Sequence, residues 1–361
     1  MDEQEHILIE EHLHFFSTAC SIARLYNYLG RFDAALNLLQ AAEHISYYPE
    51  AMIGRFEFLR LYAEIRMADY FLNNRGSDEM FALVERIYQE ERESAAEAYG
   101  EELDFTYGNN GNTINVAIAM CLLGQAHYYY TLNTHGNNYD KTFAYCQQAL
   151  NIWEKLEKER QIFTTDWDDP TSEEFKPDEY ARNYVLRIIE GGMSKALFYL
   201  GLAYERLEKD EQARASYQRA LDLALRADAK EEASYAYRHL AGFCKTKEQQ
   251  LEYALQSLAL REEIGFKRLL PHSHLLVCDV YLLCDDLEKA QEHCRAAFQL
   301  AEEMDAKSVL MMVFYSQGEI AQHQGRLDEA RAYFIQSLEL AEKLGVGYGI
   351  AEATKKLQEL G

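Results

Sequence analysis

The amino-acid sequence predicts an all-α protein, a solenoid of about seven helix pairs followed by a C-terminal capping helix at 348–361. Apolar residues recur at three- and four-residue intervals along the 361-residue chain, as on one face of an α-helix. Only four prolines occur, and all fall between predicted helices, because a proline inside a helix removes a hydrogen bond. One helix–turn–helix pattern, at 194–227, recurs along the chain. These observations favour a repeat array forming one domain, 1–361.

The pattern is clearest in 194–227, where two amphipathic helices flank a polar turn. The residues that mark their packed faces recur at helical spacing and are Leu197, Leu200, Gly201, Tyr204, Ala213, Tyr217 and Ala220. Gly201 indicates close approach of two backbones, a requirement that outweighs the cost of glycine in a helix, about 1 kcal/mol relative to alanine. One such pair cannot bury its own apolar face, so stability requires stacked neighbours.

A small residue, a tyrosine three positions later, and then alanine, aromatic and alanine together resemble the tetratricopeptide repeat. The residues that match Ala213 in later repeats are Gln250, Ala290 and Ala330, at intervals of 37, 40 and 40. This period exceeds the usual length of about 34 residues. It is similar to that of bacterial peptide-sensing regulators and of the sensor domains of signalling ATPases. The resemblance implies a right-handed superhelix that binds proteins or peptides in its concave groove.

The repeats follow one another with two irregular segments. In chain order we expect a first repeat at 12–45, a degenerate second at 51–93, a third at 113–158, an acidic insertion loop at 160–179, and four regular repeats up to the capping helix. Ala23, Tyr26 and Ala35 place the first repeat in the same pattern as 194–227. Insertions in repeat proteins map to loops on one face, so the acidic loop is a candidate binding element.

The net charge of −24 argues against binding to a nucleic-acid backbone, which requires a basic footprint. It favours a protein or peptide partner, and a basic one in particular. The seven cysteines are an odd number without a paired spacing, which indicates a reducing compartment. The acidic N-terminus has no signal-peptide pattern, and no apolar run is long enough to span a membrane. We therefore expect a cytoplasmic protein that binds no membrane.

Three groups of residues have the composition of a metal or acidic site. Asp166–Asp169 reads DWDD, His6, Glu10 and His14 share one helical face, and His274 stands four residues before Cys278. The DWDD run has no glycine where a calcium loop needs its turn, and the other two groups supply too few ligands. No nucleophile, metalloprotease or phosphate-loop motif occurs. We expect no metal, no cofactor and no catalytic residue.

The resemblance implies that the first helix of each repeat lines the groove. Carried over by position, the partner-binding residues are Arg24, Asn27, Gln125, Tyr128, Lys195, Phe198, Tyr235, Arg238, Asp279, Tyr315 and Glu319. Aromatic rings interspersed with single charges suit an extended or helical peptide.

The sequence favours a non-enzymatic protein- or peptide-binding scaffold or adaptor. A regulator switched by a small signalling peptide is an alternative, as is an enzyme or maturation factor built on an α-solenoid. The composition is compatible with a monomer or a homodimer.

Overall fold

The computed structural model describes residues 3–43, 52–73, 75–99, 110–134, 136–166 and 179–361, and these form helices and turns without a strand. The chain divides into two compact units. Unit 1 comprises Met1–Leu83, Asn133–His135 and Cys244–Gly361. Unit 2 comprises Val84–Leu132 and Gly136–Phe243. The predicted all-α class is confirmed.

The described residues contain fifteen α-helices. Their bounds are α1 Glu3–Tyr28, α2 Phe32–Ala42, α3 Met52–Asn73, α4 Ser77–Tyr99, α5 Asn110–Asn133, α6 Asp140–Asp166, α7 Glu179–Arg206, α8 Asp210–Arg226, α9 Lys230–Ala241, α10 Lys247–Glu263, α11 Leu270–Leu283, α12 Leu287–Glu303, α13 Lys307–His323, α14 Leu327–Leu344 and α15 Gly347–Glu359. A 3₁₀ turn, Lys267–Leu269, precedes α11. The final helix α15 coincides with the predicted helix at 348–361.

The same turn joins the two helices of four repeats. A backbone N–H donates to the carbonyl five residues earlier in each, and the pairs are Arg31 to Tyr26, Lys209 to Tyr204, Asp286 to Tyr281 and Arg326 to Ala321, at 2.8–3.0 Å. The residue before the donor has positive φ, as expected where a helix ends in a left-handed residue. It is glycine at Gly30 and Gly325 but acidic at Glu208 and Asp285. This shared geometry aligns the four repeats residue by residue.

The two helices of a repeat approach closely where a small residue on the first helix faces a large ring on the second. A Cβ on Gly201 would lie 2.6 Å from the Tyr217 ring, and one on Gly318 would lie 2.6 Å from the Phe334 ring. The corresponding position in α11 is Cys278, which belongs to the same layer as Cys294. In the α11–α12 pair, two cysteines of intermediate size therefore take the place of the glycine and the aromatic ring. All seven cysteines are free thiols.

The N-terminal helices of unit 1 pack against helices far along the chain. Helix α3 contacts α13, and α1 contacts the 3₁₀ turn before α11. Phe71 stacks on His272 with ring centroids 5.8 Å apart, and Ser308 donates a hydrogen bond to the backbone carbonyl of Leu72. Repeat units in an array contact only their neighbours. The sequence pattern therefore did not predict these long-range contacts.

The prediction of a loop at 160–179 is wrong for residues 160–166. Helix α6 continues through Asp166, because 160–166 contains neither proline nor glycine and the prolines occur only at Pro170 and Pro177. Residues 167–178 lie outside the described residues. Among the described residues, no helix is long and apolar enough to cross a membrane.

Candidate functional site

Three consecutive first helices of unit 1 bring carboxylates around one tyrosine. Helices α11, α13 and α15 carry residues that we call the acidic wall: Asp279, Tyr315, Glu319, Glu352 and Glu359. The Tyr315 ring packs edge-on against Phe334, with centroids 5.5 Å apart, which fixes its position. Burial raises the pKa of the Tyr315 hydroxyl, and the negative charges of Glu319, Glu352, Glu359 and Asp279 raise that pKa further.

A lysine pairs with one carboxylate of the acidic wall. Lys356 pairs with Glu319 at 3.1 Å, and both side chains are about a quarter exposed. Asp279, Glu352 and Glu359 are exposed. Such a surface attracts lysine and arginine side chains, and the tyrosine ring supplies a flat contact for their methylene groups.

Two other predicted residues of unit 1, Arg24 and Asn27, are committed to contacts within the protein. Arg24 is exposed and forms an ion pair with Glu57 at 2.5 Å, a carboxylate it shares with Arg60 at 2.7 Å. Asn27 is buried, and its Oδ1 accepts a hydrogen bond of 2.8 Å from Arg268. Arg24 faces solvent where a partner can reach it, whereas Asn27 is part of the interior.

The predicted residues of unit 2 gather around an aromatic cluster. Phe198 is buried, and the half-buried Tyr235 packs against it with the rings tilted and their centroids 5.2 Å apart. Tyr128 is also buried, packs against Tyr199 at 6.1 Å, and accepts a hydrogen bond of 3.4 Å from Arg206 Nε. Burial raises the pKa of Tyr128 to about 12 despite the opposing charge and hydrogen bond of Arg206. Phe198 and Tyr128 therefore support the surface from beneath.

A charged network borders this cluster at Glu205. The hydroxyl of Tyr217 donates to Glu205 Oε2 at 2.5 Å, and Nδ1 of His239 lies 3.1 Å from the same oxygen. Burial acts to raise the pKa of Glu205. The hydrogen bonds from His239 and Tyr217 and the charges of His239 and Arg206 outweigh burial and lower that pKa to about 2. Glu205 thus stays ionised at neutral pH and fixes the two rings beside it.

The other predicted residues of unit 2 are half-buried on first helices. Lys195 lies on α7 near Cys121, whose pKa burial raises to about 11 although the lysine charge opposes the shift. Arg238 lies on α9, one position before His239. Gln125 lies on α5, and its Oε1 is buried without a hydrogen-bond partner among the described residues.

The described residues contain no group of three or more histidine, cysteine or acidic side chains that could hold a metal ion. His274 meets His293 instead, with their Nδ1 atoms 2.9 Å apart. The DWDD run lies outside the described residues beyond Asp166, and nothing is described of the side chains of His6, Glu10 and His14.

A family model of the tetratricopeptide repeat matches residues 194–226 and 313–344. The first match covers the end of α7 and all of α8, and the second covers most of α13 and all of α14. These two segments are tetratricopeptide repeats. Both matched segments carry the glycine-against-ring layer described above. No curated protein sequence matches the chain.

The solved structures that this chain is similar to come from several kinds of protein. BtubC from P. vanneervenii is 14% identical over 74% of this chain and 92% of its own, with a TM-score of 0.47. A Rap protein complexed with competence and sporulation factor is 13% identical over 96% and 98%, with a TM-score of 0.44. A signal-transduction ATPase with a tetratricopeptide-repeat sensor, from Pyrococcus horikoshii, is 14% identical over 92% and 53%, with a TM-score of 0.42.

The repeat offsets used to predict partner-binding residues missed some residues that the structure brings to these surfaces. Glu352 and Glu359 lie on α15, which was predicted only as a cap, and they join the acidic wall. Glu205 and His239 lie near the ends of α7 and α9 and meet across the repeats. The i, i+7 spacing of Glu352 and Glu359 on one helical face was the available signal for the first pair. No signal in the sequence linked the second.

Proposed function

We propose that this tetratricopeptide-repeat protein is a non-enzymatic scaffold or adaptor that binds a basic peptide or protein segment on the acidic wall of unit 1. The observation that carries the proposal is the convergence of four carboxylates around Tyr315 from three successive first helices. First helices supply the partner contacts of peptide-binding repeat arrays, and aromatic residues give contact area at low entropic cost. The seven free thiols fit a reducing compartment, which supports a cytoplasmic location.

The exposure of the wall fits a reversible contact with a charged segment. Carboxylates that remain in water keep their solvation until the partner arrives, so they steer a basic segment and favour rapid association. Tyr315 is held by Phe334 in one position and does not have to be ordered on binding. We therefore expect moderate affinity that depends on charge, with lysine or arginine beside an apolar residue in the bound segment.

The test is selection of random linear peptides on the immobilised full-length protein, followed by affinity measurements with variants. The test variant is Asp279→Asn, Glu352→Gln and Glu359→Gln combined, which changes three exposed side chains. We expect selected peptides to be rich in lysine and arginine. Their binding to the variant should be at least about tenfold weaker, a loss of at least about 1.4 kcal/mol.

The matched control removes the same charge elsewhere. Glu302, Glu339 and Glu342 are exposed on the second helices α12 and α14, so their glutamine variant has the same net charge as the test variant. Peptides that bind the control normally and the test variant weakly would support the acidic wall. Equal weakening in both variants, or full binding by the test variant, would contradict it.

A further inference from the structure

The face that repeats use to stack on one another is exposed on helix α1. Helix α7 packs against α6. The residues on the stacking face of α7 are all buried, and they are Met193, Ala196, Leu200 and Ala203. The shared turn geometry aligns Tyr26 with Tyr204. The corresponding residues of α1 are therefore Phe15, Thr18, Ile22 and Leu25. Three of these four are large and apolar, as expected for a stacking face.

These residues of α1 are in contact with solvent. Phe15 is 46% exposed, Ile22 39% and Leu25 56%, and Thr18 is exposed as well. Their spacing of three, four and three residues is that of the seam of a two-helix coiled coil. An exposed apolar stripe of this kind marks an interaction surface.

The opposite side of α1 is firmly packed. Phe16, Ala19 and Ala23 are buried, and the Phe16 ring lies against Phe58 with centroids 5.2 Å apart. Helix α1 also contacts α2 and α3. The exposed stripe is therefore held at a fixed place on unit 1, and a partner does not have to order it first.

The local charge of this face permits contact with another copy of the same chain. Two copies carry −24 each, so their contact face has to be free of acidic residues. Residues 15–32 contain none, although the chain has 60 acidic residues in total. The exposed neighbours of the stripe include Ser17 and Ser21, which are small and uncharged, and Arg24, which is paired with Glu57. A like-charged copy can approach this face with little local repulsion.

The stripe is also complementary to itself in an antiparallel arrangement. When two copies of α1 cross a two-fold axis near residue 20, Phe15 faces Leu25 of the other copy and Thr18 faces Ile22 of the other copy. Each large side chain then meets a smaller one, and the contact satisfies the rule of a closed two-fold interface. Antiparallel helix dipoles favour the same arrangement. We propose that the protein forms a homodimer through antiparallel pairing of α1 helices.

The test is sedimentation equilibrium of the full chain and of two single variants, Ile22→Glu and Leu25→Glu. The wild type should approach twice the chain mass of 41.8 kDa as its concentration rises from about 1 to about 100 µM, since one helix pair buries less area than a standard interface. Each variant should stay at the single-chain mass, because dimerisation would bury a carboxylate in an apolar contact. Helical circular dichroism should be unchanged, as both substituted side chains are exposed.

The matched control is Ile335→Glu, which introduces the same charge at an exposed isoleucine of α14. It should dimerise as the wild type does. A wild type that stays monomeric throughout this range would overturn the proposal. Dimers of undiminished stability in both α1 variants, or equal loss of dimer in the control, would also overturn it.

Discussion

Arg268 Nη1 donates a hydrogen bond to Oδ1 of Asn27 at 2.8 Å, although the two residues are 241 positions apart. Both side chains are buried, and the Arg268 guanidinium also lies over the Phe266 ring, 4.7 Å from its centroid. The pair joins α1 to the turn before α11. A guanidinium taken out of water needs hydrogen-bond acceptors and π contacts to offset its lost solvation. Asn27 thus holds two distant parts of unit 1 together.

Asn27→Ala should destabilise the protein by about 1.5–3 kcal/mol, because it removes an acceptor from a buried charged group. Urea unfolding should show a lower midpoint with an unchanged slope. Asn151→Ala is the control, since Asn151 is exposed and accepts a hydrogen bond only from Gln147 on its own helix, at 3.0 Å, among the described residues. Equal effects of the two substitutions would show that the buried pair makes no special contribution.

Two glycines of α7 should respond to alanine in opposite directions. A Cβ at Gly201 would lie 2.6 Å from the Tyr217 ring, whereas one at Gly191 would have only the Ala229 Cβ within 4.0 Å. Gly201→Ala should cost about 1–3 kcal/mol through overpacking, and Gly201→Leu should cost more. Gly191→Ala should stabilise by about 0.5–1 kcal/mol through helix propensity. Thermal unfolding distinguishes the two, and a stabilising Gly201→Ala would contradict the tight layer.

The sequence predicted those parts of the fold that depend on local pattern. Gly201, Tyr217 and Ala213 identified the repeat because close helix approach restricts side-chain size at fixed spacing. The contact of Asn27 with Arg268 was not predictable, since neither residue breaks the helical pattern around it. Asn27 was instead expected to line the groove. Its position in the first helix fitted that interpretation, and only the packing of α1 against a distant turn places it in the interior.

The candidate site was predicted in part for the same reason. Asp279, Tyr315 and Glu319 follow from the repeat offsets, and the structure brings them together. Phe198 and Tyr128 satisfy the offsets too, yet both are buried beneath other aromatic rings. The offsets specify the helix face but not the size of the neighbouring side chains. That size decides whether a ring reaches solvent.

His274 should make the protein sensitive to mild acid. Burial, and to a smaller extent the charge of the neighbouring His293, lower the pKa of His274 from 6.5 to about 4. Between these values the unfolded chain binds a proton that the folded protein does not, so the free energy of unfolding decreases as the pH falls from 6.5 towards 4. His274→Leu should reduce this loss in urea titrations across that range. An unaltered profile in His274→Leu would contradict the assignment.

Binding to the acidic wall should weaken as the salt concentration rises. Asp279, Glu352 and Glu359 are exposed, and their attraction for a basic segment acts through water. The Debye length falls from about 10 Å at 0.1 M salt to about 3 Å at 1 M, which removes most of this attraction. A peptide selected on the protein should therefore lose affinity across that range, mainly through slower association. In the variant that neutralises these three carboxylates the salt dependence should be much shallower. An equal slope in both proteins would show that the charge attraction arises elsewhere on the chain.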